Sequence, residues 1–405
     1  MSHAEDGPDP AAPSFGPLRD VLVVDLSRAL AGPHAAMLLG DLGARVIKVE
    51  TPGSGDDTRG WGPPFIEPDA GGRESTYFLS CNRNKYSIAL DLKAADDAHT
   101  LAELIRRADV LVENFRPGVL DRLGFPPSRL AELNPTLVTL SISGFGHDGP
   151  ESQRAGYDQI AQGEAGLMSL TGADPDHPQR VGVPIGDLTA GIYGAYGVLA
   201  ALRERDRTGH GQMVRTSLLA ALVGVHAFQG TAWTVAGQVG HAQGNRHPSI
   251  APYGAFRCAD GVVQLACGSE MLWRRLCTHF ALDADHPDYA TNVDRVAHVE
   301  ALTALLESRF ADLDRETVLA GLAAAGVPAG RIRTIDEVYE WDQTQSQRLA
   351  VTVDHATLGP ITLPGMTLRT FDVSPSGDVA ESTRVEHVAP PVLDGDGTSI
   401  RDWLG

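Results

Sequence analysis

Val21-Leu22-Val23-Val24-Asp25-Leu26 and Arg45-Val46-Ile47-Lys48-Val49-Glu50 decide the fold class. Each is a short apolar run of the kind that forms a buried strand. Between them Gly32-Pro33 opens a helical stretch over Ala35 to Leu42, and Gly43 closes it. The pattern repeats outward. Lys85 to Leu92 reads as a strand, and Ala98, Leu101, Leu104 and Ile105 share one face of a helix over Ala94 to Arg107. Val110-Leu111-Val112 and Leu137-Val138-Thr139-Leu140 are two more strands. Repeated β-α units imply an α/β protein with a parallel sheet covered by helices.

Past these units a long Ala/Leu/Gly helix is expected over about Leu188 to Arg205. A turn at Thr208–Gln212, a strand over Met213 to Thr216 and a helix to about Ala236 follow. Gly240 to Pro252 reads as a linker or site loop. Tyr253 to Cys267 reads as a hairpin turning at Ala259-Asp260-Gly261. Helical patterns run to about Ala325, Gly326–Gly330 marks a boundary, and the tail from Leu349 holds short strand-like runs between acidic turns.

The chain has 405 residues, 42% of them hydrophobic, and a formal charge of −19. That balance argues against nucleic acid and against a basic membrane surface, since both need clustered cations. Residues 1–17 are polar and Pro/Gly-rich, which predicts a disordered leader and no signal peptide. Val181–Leu202 and Thr216–Asn245 are apolar, but Pro184, Asp187 and several His and Gln interrupt them. Both read as buried segments of a soluble protein, with no membrane partner. The four cysteines, Cys81, Cys258, Cys267 and Cys277, form no C-x-x-C pair. No metal site is expected, and a reducing cytoplasm suits such a chain.

Three features carry candidate chemistry. Gly144-Phe145-Gly146-His147-Asp148-Gly149 matches G-x-G-x-x-G after a strand, the sign of a nicotinamide dehydrogenase. It lies far from the first β-α unit and ends in Pro150, so a Gly-rich turn is the better reading. Asp187, in Gly182-Val183-Pro184-Ile185-Gly186-Asp187, stands just ahead of the long helix. It reads either as an N-cap or as a nucleophile in a Gly-rich setting where a substrate can approach. The three lysines, Lys48, Lys85 and Lys93, all fall in the first quarter, against thirty arginines overall. With Arg59, Arg83, Arg116 and Arg122 nearby, they suggest a phosphate pocket at the strand ends, where open α/β sheets bind ligands.

Several stretches together resemble the class III CoA-transferases of the formyl-CoA and carnitine CoA-transferase type. They are Leu30–Pro33, Leu42–Glu50, Gly53–Asp56, Asn82–Ile88, Leu90–Lys93, Val112–Gly118, Leu133–Pro135, Ser143–Gly146, Gly156-Tyr157-Asp158 and Gly209–Gln212. The resemblance implies a Rossmann-like large domain built from both chain ends, 18–225 and 340–405. A smaller inserted α+β domain with its linker takes 226–339, and two chains interlock as a homodimer. It matches Asp187 to the family's catalytic aspartate, which forms an aspartyl anhydride and then an aspartyl-CoA thioester. It implies acyl-CoA and organic acids as substrates and no tightly bound cofactor. Carried over by position, Leu30 and Ala31 lie beside the nucleotide portion of CoA. Leu90 to Lys93, Asn114, Phe115, Arg116 and Arg122 line its adenine and phosphates, and Tyr157 stands near the thioester.

Departures from the family pattern bear on the substrates. Leu30 replaces a glutamine, and Gly244-Asn245-Arg246-His247-Pro248 replaces a glycine run of the oxalate enzyme, so oxalate is expected to be a poor acceptor. Arg246 or His247 is a candidate for an acceptor carboxylate, beside a plain linker role. Family breadth suggests a dicarboxylate pair such as succinyl-CoA with another organic acid. An α-methylacyl-CoA racemase is the nearest rival, but racemases carry a histidine base where this chain has Tyr157, a poor proton shuttle near pH 7. A catalytically silent CoA-binding protein is the other alternative.

Overall fold

A computed structural model describes residues 16–68 and 72–405. Most of the leader expected over 1–17 lies outside the described residues. The chain divides into two units. The first comprises 16–167, Val181–Ala236 and Asp342–Gly405; the second comprises Met168–Arg180 and Gly237–Trp341. The boundaries expected from sequence are 225/226 and 339/340, with 168–180 in the large domain; the units divide instead at 236/237 and 341/342, with 168–180 in the second.

Six strands make the sheet of the first unit: β1 (Leu22–Asp25), β2 (Arg45–Glu50), β3 (Lys85–Ala89), β4 (Val110–Glu113), β5 (Val138–Ser143) and β6 (Met213–Ser217). All pair in parallel, in the order β3-β2-β1-β4-β5-β6. The order reverses direction between β1 and β4, the switch point at which doubly wound sheets leave a crevice. Both faces are covered. Val23, Val46, Val112, Leu140 and Ile142 point into one core, and Val24, Ile47, Ile88 and Leu111 into the other. Burial on both faces is why these strands read as continuous apolar runs.

Helix α1 (Ala31–Asp41) follows β1, and α2 (Ala95–Arg107) precedes β4. Asp96 and Asp97 open α2 while Arg106 and Arg107 close it, complementing the helix dipole. Further along come α3 (Asp158–Glu164) and α4 (Ile185–Thr208). α4 has 24 residues, long and apolar enough to cross a membrane. Its Gly/Ala face is instead packed into the core against α1, β5 and β6. A Cβ on Gly191 would come within 2.8 Å of the Ala31 carbonyl oxygen, and one on Gly194 within 2.9 Å of Leu140. Glycine at these positions lets helix and sheet approach that closely.

The single helix expected up to Ala236 is two, α5 (Leu218–Gly224) and α6 (Ala227–Ala236), bent by 79°. Ala227 adopts φ +47° at the break, and the His226 ring bonds the Ala165 carbonyl at 2.7 Å. β3 is also shorter than expected, since the chain leaves the sheet at Ala89.

In the second unit β7 (Tyr253–Cys258) and β8 (Gly261–Ala266) form the expected hairpin. The stretch Gly326–Gly330, expected as a plain boundary, feeds a third strand, β9 (Ala329–Arg331), which pairs with β8. Helices Glu270–Phe280, Val299–Phe310 and Arg315–Ala324 bury Trp273, Leu276, Leu306, Phe310 and Leu322 against this sheet.

The last sixty or so residues return to the first unit. They cover β3, an edge strand. Asp396 and Asp394 accept from the backbone N–H groups of Ser87 (2.9 Å) and Ala89 (2.8 Å), and the Asp396 N–H donates to the Ser87 carbonyl. Asn84 and Val388 exchange two hydrogen bonds of 2.9 Å. Trp403 lies against the Arg45 guanidinium at 4.6 Å.

Candidate active site

Asp187 is the third residue of α4, not its N-cap; that position belongs to Pro184, which has no capping side chain. The cap comes from elsewhere. Asp158, the first residue of α3, accepts through Oδ1 from the N–H groups of Gly186 (2.7 Å) and Asp187 (3.2 Å). Its Oδ2 accepts from Gln162 Nε2 at 2.6 Å, and Gln162 Oε1 accepts from the Val181 N–H at 2.9 Å. Gly186 sits tightly: a Cβ would lie 3.0 Å from Asp158 Oδ1 and 3.1 Å from Leu222. The Asp187 carboxyl itself is half-buried and makes no hydrogen bond among the described residues. Burial, with the Asp158 charge adding to it, pushes its pKa up to about 7.

Leu30 is the N-cap of α1 and Ala31 its first residue, both buried. The Ala31 carbonyl faces Gly191, one turn beyond Asp187, so this pair lies along the first turns of α4. Tyr157 is the N-cap of α3 beside Asp158, with its side chain 68% exposed.

Leu90, Lys93 and Phe115 line one cavity of about 380 Å³ with Leu26, Ser27 and Val119. It opens at the C-terminal ends of β1 to β4, across the switch point. The Lys93 ammonium is exposed and has no ion-pair partner among the described residues. Asn114 has a role in the fold. Its carboxamide clamps both the N–H (2.8 Å) and the C=O (2.6 Å) of Arg28 and so holds the β1–α1 turn. Arg116 lines a second cavity, of about 210 Å³, with Glu113, Ser141, His147 and Arg215. Arg122 closes a short helix, Val119–Arg122, and lines neither cavity. The Gly144–Gly149 stretch is a turn tied back to β5, by the Gly146 N–H on Ser143 Oγ (3.0 Å) and His147 Nε2 on Ser141 Oγ (2.6 Å).

The description of CoA-transferase family III fits residues 18–390 of the sequence. The chain belongs to CoA-transferase family III. A succinyl-CoA:glutarate CoA-transferase of Mus musculus is 37% identical over 398 residues, 96% of this chain and 90% of that one. An acetyl-CoA:oxalate CoA-transferase of Acetobacter aceti is 36% identical over 395 residues, 97% of this chain and 96% of its own. The crystal structure of a CaiB/BaiF family protein from Brucella suis matches with a TM-score of 0.83 at 38% identity, covering 97% of this chain and all of that one.

This CoA-transferase uses its cations differently from the sequence expectation. Lys48 and Lys85 are fully buried and engaged in ion pairs, although Lys48 also borders the 380 Å³ cavity. Lys85 Nζ bonds Asp25 Oδ2 at 2.9 Å, Asn82 Oδ1 and the Pro33 carbonyl. Lys48 Nζ pairs with Asp56 at 2.8 Å and bonds the Ser27 carbonyl. Burial alone would raise the Asp25 carboxyl; the Lys85 and Lys48 ammoniums outweigh it and hold Asp25 below the usual range. Arg59 forks onto Glu50 with two bonds of 2.7 Å, and Arg83 onto Asp41. In the second unit Arg246 pairs with Glu300, and His247 stacks on Tyr253 at 5.1 Å. The Arg246 charge is thereby already met by a carboxylate. Of the three lysines, Lys93 alone presents its charge to open space.

Tyr77 and Asp158, near Asp187, and Trp61 beside Tyr77 escape the sequence reading. The Tyr77 phenol is pushed up to about 12, first by burial and then by the charges of Asp187, Cys81 and Asp158. Trp61 packs edge-on against it at 5.1 Å. Nothing in residue type or spacing marks either, because an aromatic in an α/β protein is most often core. Asp158 stands in a quoted motif without a role.

Proposed function

We propose that this CoA-transferase moves CoA from an acyl-CoA donor to a free carboxylate through covalent intermediates on Asp187. One observation carries the reading: a desolvated carboxyl without hydrogen bonds, on a helix that a different acid caps. An ionised Asp187 oxygen attacks the thioester carbonyl, the C–S bond breaks, and CoA leaves as thiolate. The thiolate then attacks the aspartyl carbonyl of the mixed anhydride, releasing the donor acid and forming an aspartyl-CoA thioester. The acceptor carboxylate attacks this thioester, again freeing thiolate. Thiolate attack on the acceptor's acyl carbon yields the new acyl-CoA and restores Asp187. The 380 Å³ crevice with Lys93 and Phe115 suits part of the CoA nucleotide, Phe115 by stacking and Lys93 by charge.

For substrates we propose succinyl-CoA and a short dicarboxylic acid, on the strength of the succinyl-CoA:glutarate relative. The oxalate relative makes oxalate a necessary member of the acceptor panel. A second copy of the chain is proposed to cover the exposed apolar side chains of α4 and α6, among them Ile192, Tyr196, Phe228, Trp233 and Val235. The four cysteines stand as free thiols, which supports a reducing compartment such as the cytoplasm.

The test incubates the protein with succinyl-CoA, digests it and locates adducts by mass spectrometry, then repeats with Asp187→Ala. An adduct on Asp187 and acceptor-dependent exchange are expected, both abolished by the substitution. Exchange that survives Asp187→Ala sinks the mechanism. Loss of the α-proton from a 2-methylacyl-CoA without exchange establishes the racemase reading instead.

A further inference from the structure

We infer that Asp158 is a positioning residue for Asp187, fixing the nucleophile's backbone from a separate helix and placing a second carboxyl beside its own. The inference rests on the proposed reaction at Asp187. Its starting point is a local oddity of α4. An acid at the third position of a helix ordinarily turns back to the N–H of its own N-cap residue. Here the N-cap is Pro184, which has no N–H. Asp187 therefore lacks the usual local donor, and its carboxyl is left free of the backbone.

The same proline leaves the first turn of α4 without a cap, and Asp158 supplies one. A single oxygen takes the N–H groups of both Gly186 and Asp187. The other oxygen is fixed by Gln162, and Gln162 in turn holds Val181. The loop that leads into α4 is thus held at both ends from one face of α3. The side chain of Asp187 starts from a backbone that cannot drift, which is what attack on a thioester carbon requires. Gly186 is part of the device, since a Cβ there would press within 3.0 Å of the Asp158 carboxylate and push it back by a few tenths of an ångström.

The capping acid is also a second carboxyl group beside the nucleophile. Burial raises the Asp187 pKa first, and the Asp158 charge raises it further. Tyr77, on the helix Thr76–Ser80, stands at about 12, and His34, on α1 beside Gly191, is pushed down to about 4. Neither changes charge near neutral pH. α5 and β5 carry no ionisable side chain, and His226, past the end of α5, is turned onto the Ala165 carbonyl. Arg215 of β6 lines the cavity with Glu113 and His147.

Asp158→Asn removes the charge while its amide oxygen can still accept from Gly186 and Asp187; its Nδ2 then faces Gln162, whose amide must turn to present Oε1 and so gives up the Val181 N–H. The experiment measures kcat/KM for CoA exchange from pH 5 to 9 in both proteins, alongside the Asp187 adduct. With wild type, kcat/KM falls as pH drops through about 7, where Asp187 protonates. In Asp158→Asn that limb moves to lower pH by about one unit. At pH 6 the variant then retains about fivefold more of its plateau rate than wild type. Asp158→Ser, a smaller neutral acceptor, gives the same direction of shift and serves if the Asn variant fails to fold. Asp158→Ala removes cap and charge together and lowers kcat more than it raises KM. An unmoved acidic limb in a folded Asp158→Asn protein that still forms the Asp187 adduct overturns this inference alone. Absence of the adduct in wild type overturns the parent reading instead.

Discussion

Asp187 is held in a place that disfavours its charge, and this has a stability signature. The folded pKa is about 7, against 3.8 for the free side chain. Between those values the unfolded chain gives up the proton first, so the contribution of Asp187 to stability falls as pH rises from 4 to 7 and is at its worst above 7. The shift corresponds to about 4 kcal/mol, and partial solvent screening reduces it to about 2 kcal/mol. Asp187→Asn is therefore expected to stabilise the protein by ~2 kcal/mol at pH 8 and by almost nothing at pH 4, as measured by urea unfolding at the two pH values. The isolated carboxylate was legible in the sequence, for it stands alone in an apolar, Gly-rich stretch. Its partner was not, because Asp158 lies 29 positions earlier and nothing local joins them. The lysines show the same limit. Their location near strand ends was readable, but Asp25 and Asp56 meet Lys85 and Lys48 only once the strands are assembled, and that pairing turns two candidate phosphate ligands into buried ion pairs.

Elements are legible in the sequence where periodicity or burial gives an unambiguous pattern. The strands of the sheet stand where their apolar runs predict them, and the face of α2 carrying Leu101, Leu104 and Ile105 is the buried one. The long helix begins before Leu188, earlier than its apolar pattern predicts, because Pro184-Ile185-Gly186 looks like loop until its N–H groups find Asp158. The break between α5 and α6 is marked in the sequence only by Gly224, which a helix tolerates, and the bond from His226 to Ala165 that fixes it bridges 61 positions. The contact between α1 and α4 yields a prediction at this scale. Gly191→Val forces apart the Ala31 carbonyl, the His34 ring and α4, and destabilises by about 1–3 kcal/mol. Thermal unfolding reads that loss. Exchange activity falls as well, since the same displacement moves Leu30 and Ala31 relative to Asp187. A variant with unchanged melting would mean that the two helices do not touch at this glycine.

At the scale of the whole molecule, one sheet is finished by both ends of the chain. The apolar surface of α4 and α6 predicts that light scattering on the purified protein gives twice the chain mass of 43.0 kDa. Replacing Tyr196 and Trp233 with Glu is expected to shift the mass toward one copy; a wild-type protein with the mass of a single chain would contradict the proposed pairing. The tail's strand-like runs were visible in the sequence, but not that Asp394 and Asp396 serve the free N–H groups of β3. A carboxylate standing in for a neighbouring strand has no periodicity to betray it. The arrangement also has a cost during synthesis. Ala89 and Asp394 are 305 residues apart, and a ribosome adding roughly 5–20 residues per second needs about 15–60 s to connect them. For that interval β3 leaves an open pairing edge on a nascent chain, so timely delivery of the last few dozen residues protects every newly made copy from its neighbours on the same message.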